Sequence, residues 1–388
     1  TKPLRIENLK VVNSLNISEI KLQIPNIVQQ KFDLIYSKYD NDYSSKKYKS
    51  FVKYLNKNNE WEKAKLTHLN KTYDILVKLH GKTPSQHFEN DYYSLGIKML
   101  GKDKINGVSR FNLIVYWRIK YKSEVIKFLA KKMHLNYKEN ILTKIKINDK
   151  REKLYYFEFR TNKEYFKKIN KNDLISLKGK NDHSLIYCVG DIETYKARLK
   201  KAIKKIEVND STQNIIYNEY LSLSKAIYDK DLKKILTHFD VDYLSRVQAF
   251  RYLYADNGHG FYGGNLLMAF NTSNLKFYPI LHRDISTLFK TKEINGQFNG
   301  TDLIGNAGSL FNTLSKSKIL SEKTKNYLTN LLSSRTINED SMDSIIKQHN
   351  TYYYSSNFKQ SINWESPSPS TIHMLNLISR LTTSTTQN

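Results

Sequence analysis

Short stretches in which apolar and polar residues alternate dominate the first half of the chain. Such alternation has the period of a β-strand with one buried face. It predicts strands over residues 73–80, 92–100, 111–117, 141–147 and 153–159. The first two are separated by a Gly- and Pro-containing turn, so we expect them to form a hairpin.

One helix is predicted between these strands. Ser123 is a good N-cap, and Val125, Ile126, Leu129 and Met133 repeat with the spacing of one helical face. Strands, a helix and further strands predict an antiparallel sheet with one packed helix.

The sequence pattern of the second half of the chain predicts mainly helices. Asp240 is suited to cap a helix that runs to about residue 254. A glycine-rich loop, 255–265, follows, and then two strand-like runs, 266–270 and 275–281, separated by a polar turn.

These patterns predict an α+β protein in four parts. We expect an N-terminal extension (1–69), a sheet lobe with a packed helix (70–185), a mostly helical lobe (186–350) and a Ser/Thr/Pro-rich tail (351–388). No apolar run approaches the roughly 18 residues that a membrane-spanning helix needs.

The charge suggests an anionic partner. Lys and Arg number 63 against 37 Asp and Glu, a net charge of +26, which attracts phosphates, nucleic acids or anionic surfaces. Lysine runs such as 46–49 and 200–205 make a polyanion binder one alternative. The single cysteine, Cys188, excludes an intrachain disulfide framework and a zinc site of paired cysteines.

Three polar residues follow the helix in an order that suits phosphoryl transfer. Asp256 and Asn265 flank the glycine-rich loop, and Asp284 follows the second strand of the predicted hairpin. Phosphoryl transfer uses a carboxylate near the acceptor hydroxyl, with amide and carboxylate oxygens as ligands for Mg²⁺.

The order of these motifs resembles the CotH (spore coat protein H) kinase family. The resemblance covers about residues 70–290 and rests on several stretches in the family's order: Leu79-His80-Gly81-Lys82-Thr83-Pro84-Ser85, Tyr93 to Lys98, Arg110 to Leu113, Tyr155 to Glu158, Asp240 to Leu244, Asp256-Asn257-Gly258-His259, Asn265 to Met268, Phe277-Tyr278-Pro279 and Asp284. It implies a two-lobed, protein-kinase-like fold that binds ATP with Mg²⁺ or Mn²⁺.

The resemblance also implies roles in the second half of the chain. Asp256 would be the catalytic base, Asn265 a metal ligand, and Asp284 the carboxylate that chelates metal beside the phosphates. The interval of nine residues from Asp256 to Asn265 is longer than in protein kinases, so His259 is an alternative base. Where the family has two carboxylates near Asp284, this chain has one, beside Arg283.

In the first half, Lys98 is the candidate lysine for the α- and β-phosphates, with Lys178 as an alternative. Glu158, which matches the family motif, is the preferred acidic partner of that lysine, and Glu124 is the other candidate.

The leading hypothesis is therefore a CotH-like kinase that transfers the γ-phosphate of ATP to Ser or Thr of a protein. The resemblance implies a surface or coat protein as substrate and an extracellular or cell-envelope location. The main alternative is a degenerate pseudokinase that acts as a structural or binding module. No specific nucleic acid is expected as a partner.

Overall fold

The computed structural model of the chain describes most of its first two thirds and a shorter part of the remainder. The described residues are 18–38, 46–81, 87–89, 92–116, 122–177, 192–206, 208–253, 267–281, 310, 313–314, 316–334 and 337.

Twelve strands lie among these residues. They are β1 (Ser18–Gln23), β2 (Glu62–His68), β3 (Lys71–Leu79), β4 (Phe88–Glu89), β5 (Tyr92–Tyr93), β6 (Leu95–Met99), β7 (Arg110–Val115), β8 (Asn140–Ile147), β9 (Lys153–Phe159), β10 (Leu174–Ile175), β11 (Met268–Asn271) and β12 (Lys276–Pro279).

The helices of the described residues are α1 (Asn26–Ser37), α2 (Lys46–Asn58), α3 (Lys122–Lys132), α4 (Lys163–Lys168), α5 (Ile192–Ile203), α6 (Asp210–Tyr228), α7 (Leu232–Thr237), α8 (Val241–Leu253) and α9 (Lys318–Ser333).

Seven of the strands close into a barrel in the order β1-β2-β3-β6-β7-β9-β8. All neighbours are antiparallel except β1 and β8, which pair in parallel with Ile20 opposite Ile145. The predicted hairpin is confirmed, since Ile75 of β3 lies opposite Met99 of β6.

The barrel contradicts the predicted fold class. A protein-kinase-like fold with an antiparallel sheet lobe is wrong for this chain, because β1 joins the two ends of the sheet. One cause is Asn148, in the turn after β8, whose side chain accepts from the Ile24 N–H at 2.7 Å and donates to the Ile24 carbonyl at 2.9 Å. These bonds hold the end of β1 against β8. The alternation of apolar and polar residues within one strand cannot reveal partners so far apart in the sequence.

Strand alternation places one apolar residue in every two inside the barrel. Leu95, Leu113 and Phe157 are fully buried at neighbouring positions, and the Phe111 and Phe157 rings stack with their centres 4.1 Å apart. Each such side chain contributes about 1.5–3 kcal/mol when it leaves water. This interior fixes which residues face outward.

The remaining elements confirm several local predictions. The helix predicted at Ser123 is α3, and its residues Val125, Ile126 and Leu129 are buried. The Asp240 side chain accepts from the Tyr243 N–H at 2.9 Å and so caps α8. The second predicted hairpin is β11–β12, which extends a sheet with β10.

The chain divides into two compact units. Among the described residues, the first contains those up to Tyr121 with Glu139–Lys168, and therefore the whole barrel. The second contains Lys122–Lys138 and Ile169–Lys347, and therefore the β10–β12 sheet and the helices from α5 onward.

Candidate functional site

A row of polar residues crosses the outer face of the barrel. Lys78 of β3 lies opposite Gly96 of β6, Gly96 opposite Asn112 of β7, Asn112 opposite Glu158 of β9, and Glu158 opposite Asn140 of β8. Their sequence neighbours point into the barrel, since side chains alternate along a strand. The strand register therefore brings together residues from five strands.

Glu158 lies at the centre of this row and is almost fully buried. It is 2% exposed, and its Oε1 accepts from the Asn112 side-chain amide at 2.9 Å; Asn112 is itself 3% exposed. A buried carboxylate requires such partners because burial alone disfavours its charge. Glu158 is therefore a fixed group within the fold.

Asn112 connects this carboxylate to a guanidinium group. The Arg160 Nε and Nη2 atoms both lie 3.4 Å from the Asn112 Oδ1 atom, to which they donate. Asn112 thus accepts from Arg160 and donates to Glu158. The chain Arg160–Asn112–Glu158 orients the guanidinium group through a neutral amide.

Further cations lie beside this chain. Lys98 of β6 is half-buried opposite the exposed Arg110 of β7, and continuing the β7–β9 register places Arg160 next to Arg110. The Lys78 Nζ lies 4.8 Å from the centre of the Trp61 ring. We refer to this surface as the cationic face and define it by Lys78, Lys98, Arg110, Asn112, Glu158 and Arg160.

Gly96 lies in the middle of the cationic face, between Lys78 and Asn112. A Cβ atom at this position would lie 3.6 Å from Trp61, 3.7 Å from Lys78 and 3.8 Å from the Arg160 Nη2. These side chains surround the position where a larger residue would stand. Gly96 is itself buried, and the three side chains pack around it.

Lys98 and Glu158, chosen from the sequence, both lie on this face. One strand, β7, separates them, so their Cα atoms are offset by about 10 Å across the sheet and by one pleat along it. Their predicted roles stay predictions. The alternative acid, Glu124, lies on α3 in the second unit; burial raises the pKa of its carboxyl, and Lys127 and Lys131 oppose that rise.

The other predicted site residues lie outside the described residues; they are Lys178, Asp256, His259, Asn265 and Asp284. The structure describes the elements that flank them, since α8 ends at Leu253 and β12 ends at Pro279. The Tyr243 hydroxyl of α8 donates to the Pro279 carbonyl at 2.7 Å. This bond fixes the helix against the hairpin.

Sequence reasoning missed Lys78, Arg110, Asn112 and Arg160 as site residues. Their signal is a polar residue at alternate positions within otherwise apolar strands, as in the run from Arg110 to Val115. The pattern of each strand alone predicts only a strand with one solvent-exposed face. Only the register of β6, β7 and β9 reveals that these positions are adjacent.

Comparison with known proteins assigns no family, because no family model and no curated protein matches the chain. Among the described residues, no cluster of three or more His, Cys, Asp or Glu side chains is arranged to hold a metal ion. The helices of the described part include none with the length and apolar character needed to span a bilayer.

Proposed function

We propose that this chain is an ATP-dependent phosphotransferase that acts on Ser or Thr hydroxyls of a protein and binds the polyphosphate on its cationic face. The observation that carries the proposal is the hydrogen-bonded chain Arg160–Asn112–Glu158 beside Lys98, in which Asn112 and Glu158 are buried. The order of motifs, which resembles that of CotH kinases, supports the same chemistry.

The cationic face suits a polyphosphate in charge and in hydrogen-bond donors. Lys78, Lys98, Arg110 and Arg160 provide four cations around one carboxylate on a single surface. Guanidinium groups bind phosphate oxygens through paired N–H donors, while lysine acts as a mobile point charge. Lys98 would bind the α- and β-phosphates, and Glu158 would hold Arg160 in place through Asn112.

The resemblance to CotH kinases assigns the transfer step to residues of the second half of the chain, which lie outside the described residues. The acceptor hydroxyl oxygen attacks the γ-phosphorus, the bond to the β,γ-bridging oxygen breaks, and ADP leaves. The hydroxyl proton passes to the Asp256 carboxylate, or to His259 if that residue is the base. Asn265 and Asp284 offer the oxygen ligands that Mg²⁺ or Mn²⁺ prefers, and a bound metal would neutralise phosphate charge.

A binding module without turnover is the second candidate. It is favoured by the lone carboxylate at Asp284, which stands beside Arg283. Such a protein would bind the nucleotide on the cationic face but would not release ADP above the uncatalysed rate.

The test is ADP release and phosphopeptide formation by the full chain incubated with ATP and Mg²⁺ or Mn²⁺. We expect turnover that falls by at least about 100-fold in Asp256→Ala or in His259→Ala, whichever residue is the base. We expect a comparable loss in Asp284→Ala. Lys146→Ala is the control, because Lys146 is a half-buried lysine about 20 Å along β8 from Asn140.

Nucleotide binding without turnover in any condition would favour the second candidate, a binding module. Turnover that is unchanged in Asp284→Ala and in both base variants would contradict the assigned residues. Absence of both binding and turnover would overturn the proposal.

A further inference from the structure

A hydrogen-bonded chain of three side chains lies in the second unit, apart from the residues used above. The His238 Nδ1 lies 3.1 Å from the Glu219 Oε2, and the His238 Nε2 lies 3.2 Å from the Ser222 Oγ. Glu219 and Ser222 are three residues apart on α6 and so share one helical face. His238 follows the last residue of α7 as its C-cap.

The direction of the hydrogen bonds follows from their chemistry. An ionised carboxylate only accepts, so the Nδ1 of His238 carries the proton and donates it to Glu219. The Nε2 then holds a lone pair, which accepts from the Ser222 hydroxyl. Nucleophile, base and orienting carboxylate therefore stand in the order used by enzymes that activate serine.

The three side chains of this hydrogen-bonded chain differ in solvent exposure. His238 is 7% exposed and packs against the Phe277 ring, with the two ring centres 6.2 Å apart. Ser222 is only half-buried, and the Glu219 side chain is 28% exposed. The imidazole is thus held within the fold, while the Ser222 residue is partly exposed.

The charges around His238 come from three elements. Burial lowers the pKa of His238; Glu219 on α6 opposes this, while Lys276 on β12 and Lys234 on α7 lower it further. The Lys276 ammonium group donates to the Thr237 carbonyl, directly beside His238. Burial therefore favours the neutral imidazole, and two ammonium groups favour an anion next to it.

We infer that Ser222 is an acylatable nucleophile, with His238 as its base and Glu219 as the group that orients His238. The reactant class is an ester or thioester with an acidic acyl group, because Lys234 and Lys276 make the surroundings positive. This site is independent of the proposed phosphotransferase.

The reaction balances without a cofactor. The Ser222 Oγ attacks the carbonyl carbon while its proton passes to the His238 Nε2. The bond from that carbon to the leaving oxygen or sulfur breaks, and the leaving group takes the proton from Nε2. Water then attacks the acyl-serine by the same route, which releases the acid and restores the hydroxyl.

The experiment treats the full chain with the 4-nitrophenyl esters of acetic and succinic acid. Nitrophenolate release gives the rate, and peptide mass spectrometry locates the acyl group. Hydroxylamine, which cleaves esters and leaves amides, separates an acyl-serine from acylated lysines. We expect an acyl group on Ser222 that forms faster with the succinyl ester.

Three variants define the roles. Ser222→Ala should abolish the hydroxylamine-sensitive adduct, His238→Gln should slow its formation by about 100-fold, and Glu219→Gln should slow it by about 10-fold. Ser211→Ala is the matched control, since Ser211 is an exposed serine of the same helix and should leave the rate unchanged. Melting temperatures identify any variant that fails to fold.

The pH profile of the native chain distinguishes catalysis from a structural role. The rate of acylation should rise with pH through a midpoint that lies below the ordinary pKa of histidine, because the pKa of His238 is lowered. Acylation confined to lysines, or a Ser222 adduct that forms equally fast in His238→Gln, would overturn the inference.

Discussion

The barrel and the helical unit each hold a carboxylate in a hydrogen-bond chain, but they build it in different ways. On the barrel, Glu158 is 2% exposed and contacts Asn112 across paired strands. In the helical unit, Glu219 is 28% exposed and stands three residues from Ser222 on one helix. The first chain depends on strand register, and the second depends mainly on local helix geometry.

This difference separates a structural carboxylate from one that contacts a titratable group. Glu158 is almost fully buried and has a neutral amide as partner, so it is a structural group of the barrel. Glu219 contacts an imidazole, a group that titrates near neutral pH. The barrel face is suited to hold an anion, and the helical site is suited to accept and return a proton.

The largest effect on stability should come from Glu158→Ala. The substitution leaves the buried Asn112 amide without this acceptor, so the free energy of unfolding should fall by about 3 kcal/mol. Urea denaturation measures it. Glu19→Ala is the control, because the Glu19–Lys21 pair on the same barrel is exposed and should change stability by less than about 0.5 kcal/mol. Equal effects in the two variants would contradict the account of Glu158 as a buried, hydrogen-bonded structural group.

A smaller effect should come from the cap of the helix that carries Glu219 and Ser222. The Asn209 side chain accepts from the Thr212 N–H at 2.8 Å, so Asn209→Ala should lower the stability of the second unit by about 1 kcal/mol. Hydrogen exchange of the α6 amides measures it. Asn209→Asp keeps an acceptor at the cap and should retain most of the protection; loss of protection in this variant as well would argue against the capping bond.

The smallest effect should be a pH dependence confined to the helical unit. The pKa of His238 is lowered by burial, so the folded chain favours the neutral imidazole more than the unfolded chain does. The resulting stability is present above about pH 6.5, the usual histidine value, and is lost as pH falls through the lowered value. The protection of the α6 and α7 amides, taken relative to the intrinsic exchange rate at each pH, should therefore fall on acidification, and His238→Gln should reduce this response. A response of the same size in that variant would assign the effect to other groups.

Local signals in the sequence predicted much of the secondary structure. The strands β8 and β9 and the hairpin β11–β12 have alternation and turns within a short stretch, and the helix at Ser123 has both a cap and a buried face. The closure of the barrel could not be predicted in this way, because β1 pairs with a strand more than 100 residues away.

The same limit applies to the site. Lys98 and Glu158 were identified through motifs that each lie in one strand. Asn112 and Arg160 were not, since their importance comes from neighbours on other strands. The chain Glu219–His238–Ser222 was also missed, because a histidine after a short helix gives no sign of the helix face that it meets.

The most direct test of the central claim is calorimetric titration of the full chain with ATP and Mg²⁺, comparing Lys98→Ala with Lys146→Ala. Both variants remove one half-buried lysine from the same barrel. We predict that Lys98→Ala weakens ATP binding at least 10-fold, about 1.4 kcal/mol, and that Lys146→Ala leaves it unchanged. Equal weakening in both variants would mean that the affinity for ATP depends only on net charge, and would contradict a phosphate site on the cationic face.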